Sequence, residues 1–306
     1  EVPGHPKRHG LLHRQGVLRV VKHRAEVDLD DALVNLTRFP LFLPEKRPFF
    51  LSGLDVFSFG DTRAYQLFYS RRIGLDSDGN AVPILGGVKL FGHLGHLGVG
   101  ALTVITDDRE EVPQTLHNVA RLRYDLDGQG ILGLIWASRV SLEEQQDQLL
   151  HNGVGLDASY RFLDNRLEIA SFGALTLNET QVSQLGRSDC DRNEGVADDE
   201  TRTETVRGET VKLSMNYRSK VWNSSANLRQ VGCHFDPRMG FARRTDIRTG
   251  SLSNELVRRS GKSIFDTAEI THYIDYTTDD RAGRYLGFNT GIGGYLSIVR
   301  RYFASV

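Results

Sequence analysis

Alternation of period two constrains this chain more than any other feature. Leu116, Asn118, Ala120, Leu122, Tyr124 and Leu126 fall on one side of an extended segment, with Arg121, Arg123 and Asp125 on the other. Val154, Leu156, Ala158, Tyr160 and Phe162 oppose Asp157, Ser159 and Arg161. Val211, Leu213, Met215 and Tyr217 oppose Lys212, Ser214, Asn216 and Arg218; Trp222, Ser224, Ala226 and Leu228 oppose Asn223, Ser225, Asn227 and Arg229. Successive side chains of a strand point to opposite faces, so this rhythm predicts strands and excludes amphipathic helices. The runs are about ten residues long, the length of a tilted membrane-crossing strand, where soluble strands average about five or six.

Alternation alone does not say which face meets water. A soluble sandwich buries its apolar face, whereas a membrane barrel turns that face to lipid. Two features favour the barrel. Connections alternate in length: short at Gly92 to His96, Asp127 to Gly130, Asp164-Asn165 and Ser219-Lys220, and long at Asp107 to Gln114, Ser141 to Gly153 and Glu179 to Thr205. Short turns at one end and long loops at the other are the habit of outer-membrane barrels. Tyr124, Tyr160, Phe162, Tyr217 and Trp222 also sit on the apolar face beside the short turns, where an interfacial aromatic belt belongs. The expected fold is all-β, an antiparallel up-and-down transmembrane β-barrel of about ten or more strands. The rhythm loosens after Gly250, so a truncated barrel with open edges is a second expectation.

No apolar run reaches the length of a membrane-spanning helix. Lys+Arg 38 against Asp+Glu 39 leaves no basic excess that would favour nucleic acid. The two cysteines, Cys190 and Cys233, are enough for one bridge in an oxidising compartment but not for a disulfide framework. Residues 1–25 are basic and His-rich and are expected to form a disordered leader ahead of a barrel domain at 26–306; Glu26 to Leu36 is the first expected strand. No signal peptide opens the chain, which suggests a processed product or a fragment.

One stretch breaks the alternation. Phe39-Pro40-Leu41-Phe42-Leu43-Pro44-Glu45-Lys46-Arg47-Pro48-Phe49-Phe50 sets three prolines and four phenylalanines around a Glu-Lys-Arg knot. The prolines predict a stiff extended connector. Val34 to Arg38 leads into it, and Leu51 to Gly60, Leu67 to Gly74 and Val82 to Leu90 follow; Phe235-Asp236-Pro237-Arg238-Met239-Gly240-Phe241-Ala242-Arg243-Arg244 comes later. In that order these segments resemble an uncharacterised bacterial family of outer-membrane β-barrels, over residues 26 to 250. In that family the barrel follows a family-nine-like carbohydrate-binding module. The resemblance implies the outer membrane of a Gram-negative cell, contact with its lipid, and binding or passage of carbohydrate at the surface. It also sets Phe39, Phe42, Glu45, Lys46, Arg47, Phe49 and Phe50 near a barrel mouth. Glu45 or Arg47 is expected to meet Arg71, Arg72 or Asp55, and Arg71-Arg72 and Arg243-Arg244 are expected to hold Asp55, Asp61 or Asp246.

Candidate chemistry is sparse. There is no nucleophile elbow, P-loop, paired-cysteine zinc pattern or dinucleotide fingerprint, so no catalytic residue is assigned. His93 and His96 flank a tight turn and read as polar turn residues. Asp189, Asp191, Asn193 and Glu200 space oxygen ligands as a calcium loop does, though the glycine falls one place late and no helices flank it. Arg121, Arg123, Asp125, Asp157, Arg161, Lys212, Arg218 and Arg229 are expected to face the lumen and pair across strands. A soluble carbohydrate-binding sandwich and a surface glycoside hydrolase are the rival readings.

Overall fold

The computed structural model describes residues 17–22, 42–60, 64–76, 80–109, 112–142, 150–181, 203–260, 265–298 and 302–305. β1 (Val17–Lys22) precedes two one-turn helices, α1 (Pro48–Leu51) and α2 (Leu54–Phe57), the short strand β2 (Tyr65–Gln66) and a 3₁₀ turn at Ser70–Arg72. Long strands follow: β3 (Ile84–Leu94), β4 (Leu97–Thr106), β5 (Thr115–Leu126), β6 (Gly130–Ser141), β7 (Leu150–Phe162), β8 (Leu167–Gln181), β9 (Thr203–Arg218) and β10 (Trp222–Val231). After β11 (Phe241–Ala242) come β12 (Ile247–Arg259), β13 (Phe265–Thr278), β14 (Tyr285–Ile298) and β15 (Tyr302–Ser305).

All but β2 and β11 join one 13-stranded antiparallel sheet in which neighbours in sequence are neighbours in space. Among the described residues β1 and β15 form its two ends, and they are not paired with each other. Residues 95–96, 127–129, 163–166 and 219–221 connect β3–β4, β5–β6, β7–β8 and β9–β10 at one end. Gly95 (φ 63°), Gly128 (φ 73°) and the run Leu163, Asp164, Asn165 (φ 54°, 55°, 65°) supply the left-handed backbone that such tight reversals need.

Burial decides the orientation of the two faces. Val154, Leu156 and Phe162 are 42%, 60% and 43% exposed, while His151, Gly153 and Gly155 on the other face of β7 are buried. Leu122, Tyr124, Leu132, Leu134, Trp136, Val211, Leu213, Met215 and Trp222 are likewise exposed. The apolar face points outward along the wall. A soluble sandwich would bury it.

What the wall encloses is the segment from Phe42 to Asp76, together with the connection 232–246. Phe50, Val56, Phe57, Phe59, Tyr65, Leu67, Phe68 and Ile73 form one core cluster with Leu102, Val104, Val119, Ile135, Phe172, Phe235 and Met239. Wall residues from β3 to β10 reach this segment: Lys89 Nζ donates to Phe50 O, and Arg229 lies 4.9 Å from the Tyr65 ring. At about 4.8 Å per strand, β3 and β10 would stand roughly 34 Å apart in a flat sheet. One compact cluster touches both, so the sheet curls around it.

Glycine makes the room. Phe57 Cζ stands 2.8 Å from where a Cβ on Gly100 would sit, Leu67 stands 3.0 Å from that position on Gly153, and the Phe59 ring occupies it on Gly155. β2 and β11 pair through Phe241–Gln66 and Ala242–Tyr65, stitching the 232–246 connection onto the plug.

The structure corrects two expectations. Val17–Lys22, assigned to the disordered leader, pairs with Gly86–Phe91 as β1; the run Val-Leu-Arg-Val-Val is β-branched enough to extend the sheet. The connector is extended only to Arg47, because Pro48 occupies the first turn of α1, where a missing N–H costs nothing. After Gly250, where the rhythm loosens, β12, β13 and β14 are as long as the earlier strands. Glu26 to Leu36, the first expected strand, lies outside the described residues.

Gly100→Leu should displace Phe57 and unseat the plug, an overpacking cost of about 1–3 kcal/mol. Gly173→Leu, whose Cβ would meet nothing nearer than 3.9 Å, should be neutral. Thermal unfolding midpoints of the two variants, with limited proteolysis of residues 42–76, check this contrast.

Candidate functional site

The plug is held by a buried polar knot. Glu45 and Arg47 are two apart in extended backbone, so their side chains lie on the same side and pair at 2.8 Å. Their side chains are 5% and 12% exposed. Arg47 also donates to Ile73 O and Ser70 O, both at 2.8 Å, and the Ser70 hydroxyl donates to Glu45 Oε2 at 2.5 Å. Its guanidinium lies 4.2 Å from the Phe50 ring centroid. The strap 42–47 is thereby tied to the turn at 70–73. Burial opposes ionisation of Glu45, but hydrogen bonds from Arg47 and Ser70 and the Arg47 charge outweigh it and bring the pKa from 4.5 to about 2.

Two wall cations face the plug. Lys89, 1% exposed, donates to the carbonyl oxygen of Phe50 and lies 4.8 Å from the Phe57 ring. Arg121, also 1% exposed, grips Asp157 bidentately at 2.6 and 2.8 Å and lies 5.6 Å from the Phe59 ring. Gly133, between them in the sheet, leaves space for the Arg121 guanidinium. A cation over an aromatic face is favoured, more so when desolvated.

Below this level, towards the short turns, the inner wall is polar. Register aligns Ser159, Ala170, Ser214, Asn227, Ser251 and Asp275, and next to them Arg161, Glu168, Asn216, Ser225, Ser253 and Tyr273. Ser225 donates to Asn216 at 2.8 Å, Asn227 reaches Ser225 and Ser251 at 3.4 Å, and Asn223 donates to Glu255 at 2.7 Å. A cavity of about 290 Å³ opens under the plug, lined by Gly60 of the plug and by Asp157, Glu168, Phe172, Lys212 and Ser214 of the wall.

The residues singled out in sequence fall as follows. Phe42 stacks on Tyr69 and Phe241 at 5.0 and 5.6 Å, and Phe49 on Phe50 at 5.0 Å. Lys46 is exposed beside the knot. The expected partners of Glu45 and Arg47 are corrected: the two residues pair with each other, because extended geometry places them together. Arg71 donates to Pro44 O and Arg72 to Gly240 O; Asp55 offers its backbone carbonyl to Arg123. Arg243 and Arg244 contribute backbone groups, the Arg243 N–H to Ala64 O and the Arg244 carbonyl to Tyr65 Oη, while Asp246 meets Arg281 at 3.8 Å. Arg121, Asp157, Lys212 and Arg229 face inward on the wall. Asp125 caps the turn N–H of Gly128, and Arg161 and Arg218 lie near the turn end. Phe39, Asp61 and the calcium candidates Asp189, Asp191, Asn193 and Glu200 lie outside the described residues. Sequence reading passed over Lys89 and Ser70, which lie in short apolar or loop runs with no signal of their contacts.

Comparison with known proteins adds little beyond this geometry. A family model described as a domain of unknown function (DUF5916) matches residues 25–90, which includes the strap and the plug helices. No curated protein matches. Thirteen solved chains match. One is the crystal structure of the Pseudomonas putida toluene transporter TodX, at 10% identity and a TM-score of 0.24, covering 73% of this chain and 75% of that one. The fold assignment rests on the strand register above.

Because the folded pKa of Glu45 is depressed, its contribution to stability is complete above pH 4.5 and is lost as pH falls through about 2. The melting-point gap between wild type and Glu45→Gln should therefore be constant from pH 7 to 5 and close below that. Arg47→Ala, which leaves a buried carboxylate uncompensated, should cost about 3–5 kcal/mol at pH 7. A gap that does not change with pH would place the effect of Glu45 elsewhere.

Proposed function

We propose that this chain forms the wall and plug of an outer-membrane β-barrel that binds and passes a hydrophilic solute, with carbohydrate as the solute class. The observation that carries this is the inversion of the usual arrangement. Long strands present leucine, valine and aromatic side chains outward, while a folded segment and a polar surface occupy the inside. An exposed apolar area of this extent is stable only against lipid or another apolar surface. Tyr124, Phe162 and Trp222 stand exposed near the short turns, and Tyr276 and Tyr285 near the other end, as two interfacial belts. Cys233 is disulfide-bonded, which fits an oxidising compartment.

The inner wall of β9, β10 and β12 supports carbohydrate as the solute class. Its serines and asparagines each offer donor and acceptor in the same group, the chemistry that exchanges water for sugar hydroxyls without requiring charge. The cavity of about 290 Å³ under Phe172 lies at the closed end of that surface. The plug makes this a gated path: the knot at Glu45–Arg47 and the Arg121–Asp157 pair hold it in place.

The two tryptophans, Trp136 and Trp222, are both outward-facing and 42% and 46% exposed. In vesicles made with brominated phospholipids, both should be strongly quenched. In the same vesicles, loosening the plug with Arg47→Ala should raise the permeability to a small neutral sugar. Tryptophans shielded from the bromines would overturn the membrane reading; quenched tryptophans with no sugar permeation in either protein would overturn the transport role alone.

A further inference from the structure

The end of the wall that carries the long connections holds a basic cluster with too few counter-charges. Register aligns His117 of β5, Arg139 of β6, His151 of β7 and Asn178 of β8 in one row across the sheet. The row faces inward, since Arg139 shares its face of β6 with the core residues Ile135 and Ala137. A turn from the 232–246 connection closes over it. Gly240 N–H donates to Pro237 O at 2.7 Å, Asn178 donates to Asp236 O at 2.8 Å, and His117 Nδ1 lies 3.1 Å from Met239 Sδ. Arg238 stands at the exposed tip of that turn, and Arg72, also exposed, donates to Gly240 O at 3.3 Å. The charges of Arg72, Arg238 and Asp236 all bear on Arg139. Asp236 is already paired with Arg238, and the Arg139 guanidinium has no hydrogen bond or ion pair among the described residues. Next to it His151, 7% exposed, is hydrogen-bonded to Asn178 and leaves its Nδ1 without a partner. His151 lines a small cavity there with Asp236 and Arg238.

We propose that this cluster binds the oxyanion, carboxylate or sulfate, of an acidic saccharide entering the mouth, a claim that deepens the solute-binding reading above and rests on it. Charge chooses the occupant. Arg72, Arg139 and Arg238 bring three positive charges against the one negative charge of Asp236. A guanidinium held away from water without a counter-charge is costly, and an entering anion restores the balance. The guanidinium fork matches the paired oxygens of a carboxylate or sulfate, and such charge-assisted hydrogen bonds are the strong ones. The unpartnered His151 Nδ1 is placed to meet a hydroxyl of the same sugar. The turn that carries Arg238 is fixed beforehand, to the wall through Asn178 and to the plug through Tyr69 N–H, which donates to Met239 O at 2.8 Å. Binding therefore orders little that is not already ordered. The row faces the inside of the wall, so a lipid headgroup on the outer face does not reach it.

Isothermal titration of the full chain in detergent micelles with glucose, glucuronate, glucose 6-sulfate and inorganic sulfate tests this. The wild type should bind both acidic sugars about tenfold more tightly than glucose, the effect of one charge-assisted hydrogen bond. Arg139→Gln should abolish that preference. Because Arg139 has no partner to lose, the same variant should not lower the thermal midpoint. Arg166→Gln, which removes an arginine at the short turns of the opposite end, should leave the preference intact. Equal affinity for glucose and glucuronate, or a preference that survives Arg139→Gln, would overturn the site. So would inorganic sulfate bound as tightly as the acidic sugars, which would make the cluster a site for a free anion. Permeation of vesicles separates the causes. An acid preference in binding with no sugar passing through Arg47→Ala vesicles supports the site and rejects passage alone, whereas passage of glucose and glucuronate with no acid preference in binding rejects only the site.

Discussion

The seating of Phe57, Phe59 and Leu67 into positions where the wall has glycine is the contact on which the rest depends. A strand with a side chain at Gly100 or Gly155 could not come so close to the plug. The wall could not then curl around the segment, and inner-face residues such as Val104 and Ile135, both at 0% exposure, would face an empty lumen. The glycines weaken their strands locally. The aromatic burial they permit offsets that, at about 1.5–3 kcal/mol for each large side chain.

Around this contact three buried cations each have a polar partner. Arg121 has Asp157, Arg47 has Glu45 and Ser70, and Lys89 has the carbonyl of Phe50. Each cation also lies near a phenylalanine of the plug. Such pairs are weak sources of net stability, since desolvation consumes most of the attraction, but breaking one is costly. They therefore act as position markers. Lys89 and Arg121 specify where the plug sits on the wall, and Glu45 with Arg47 specifies how the strap meets the 70–73 turn.

The inner surface divides accordingly. Where the plug lies, between β4 and β8, inward positions include Gly100, Leu102, Val104, Val119, Ile135, Ala137 and Ala174 around the Arg121–Asp157 pair. Towards the short turns from β9 to β13, Ser214, Asn216, Ser225, Asn227, Ser251 and Ser253 make the inner face more polar. The boundary falls where Phe172 faces Lys212 across β8 and β9.

The period-two pattern by itself determined the strands, because side-chain direction in a strand is a local property of the backbone; which face turned outward was decided by burial in the tertiary structure. The alternating loop lengths determined the up-and-down order for the same reason. Val17–Lys22, placed in the leader on pattern alone, gains its place from an edge on β3. The site was legible only in its residue types. The Glu45–Arg47 pair follows from their spacing in extended backbone, but that Arg71 and Arg72 would donate to carbonyls and that Lys89 would lie against the Phe57 ring were decided by the tertiary structure. Those contacts join residues up to 168 positions apart, as Arg72 and Gly240 are. Only the curl of the wall brings such groups within hydrogen-bond reach, and only there does low dielectric make them matter.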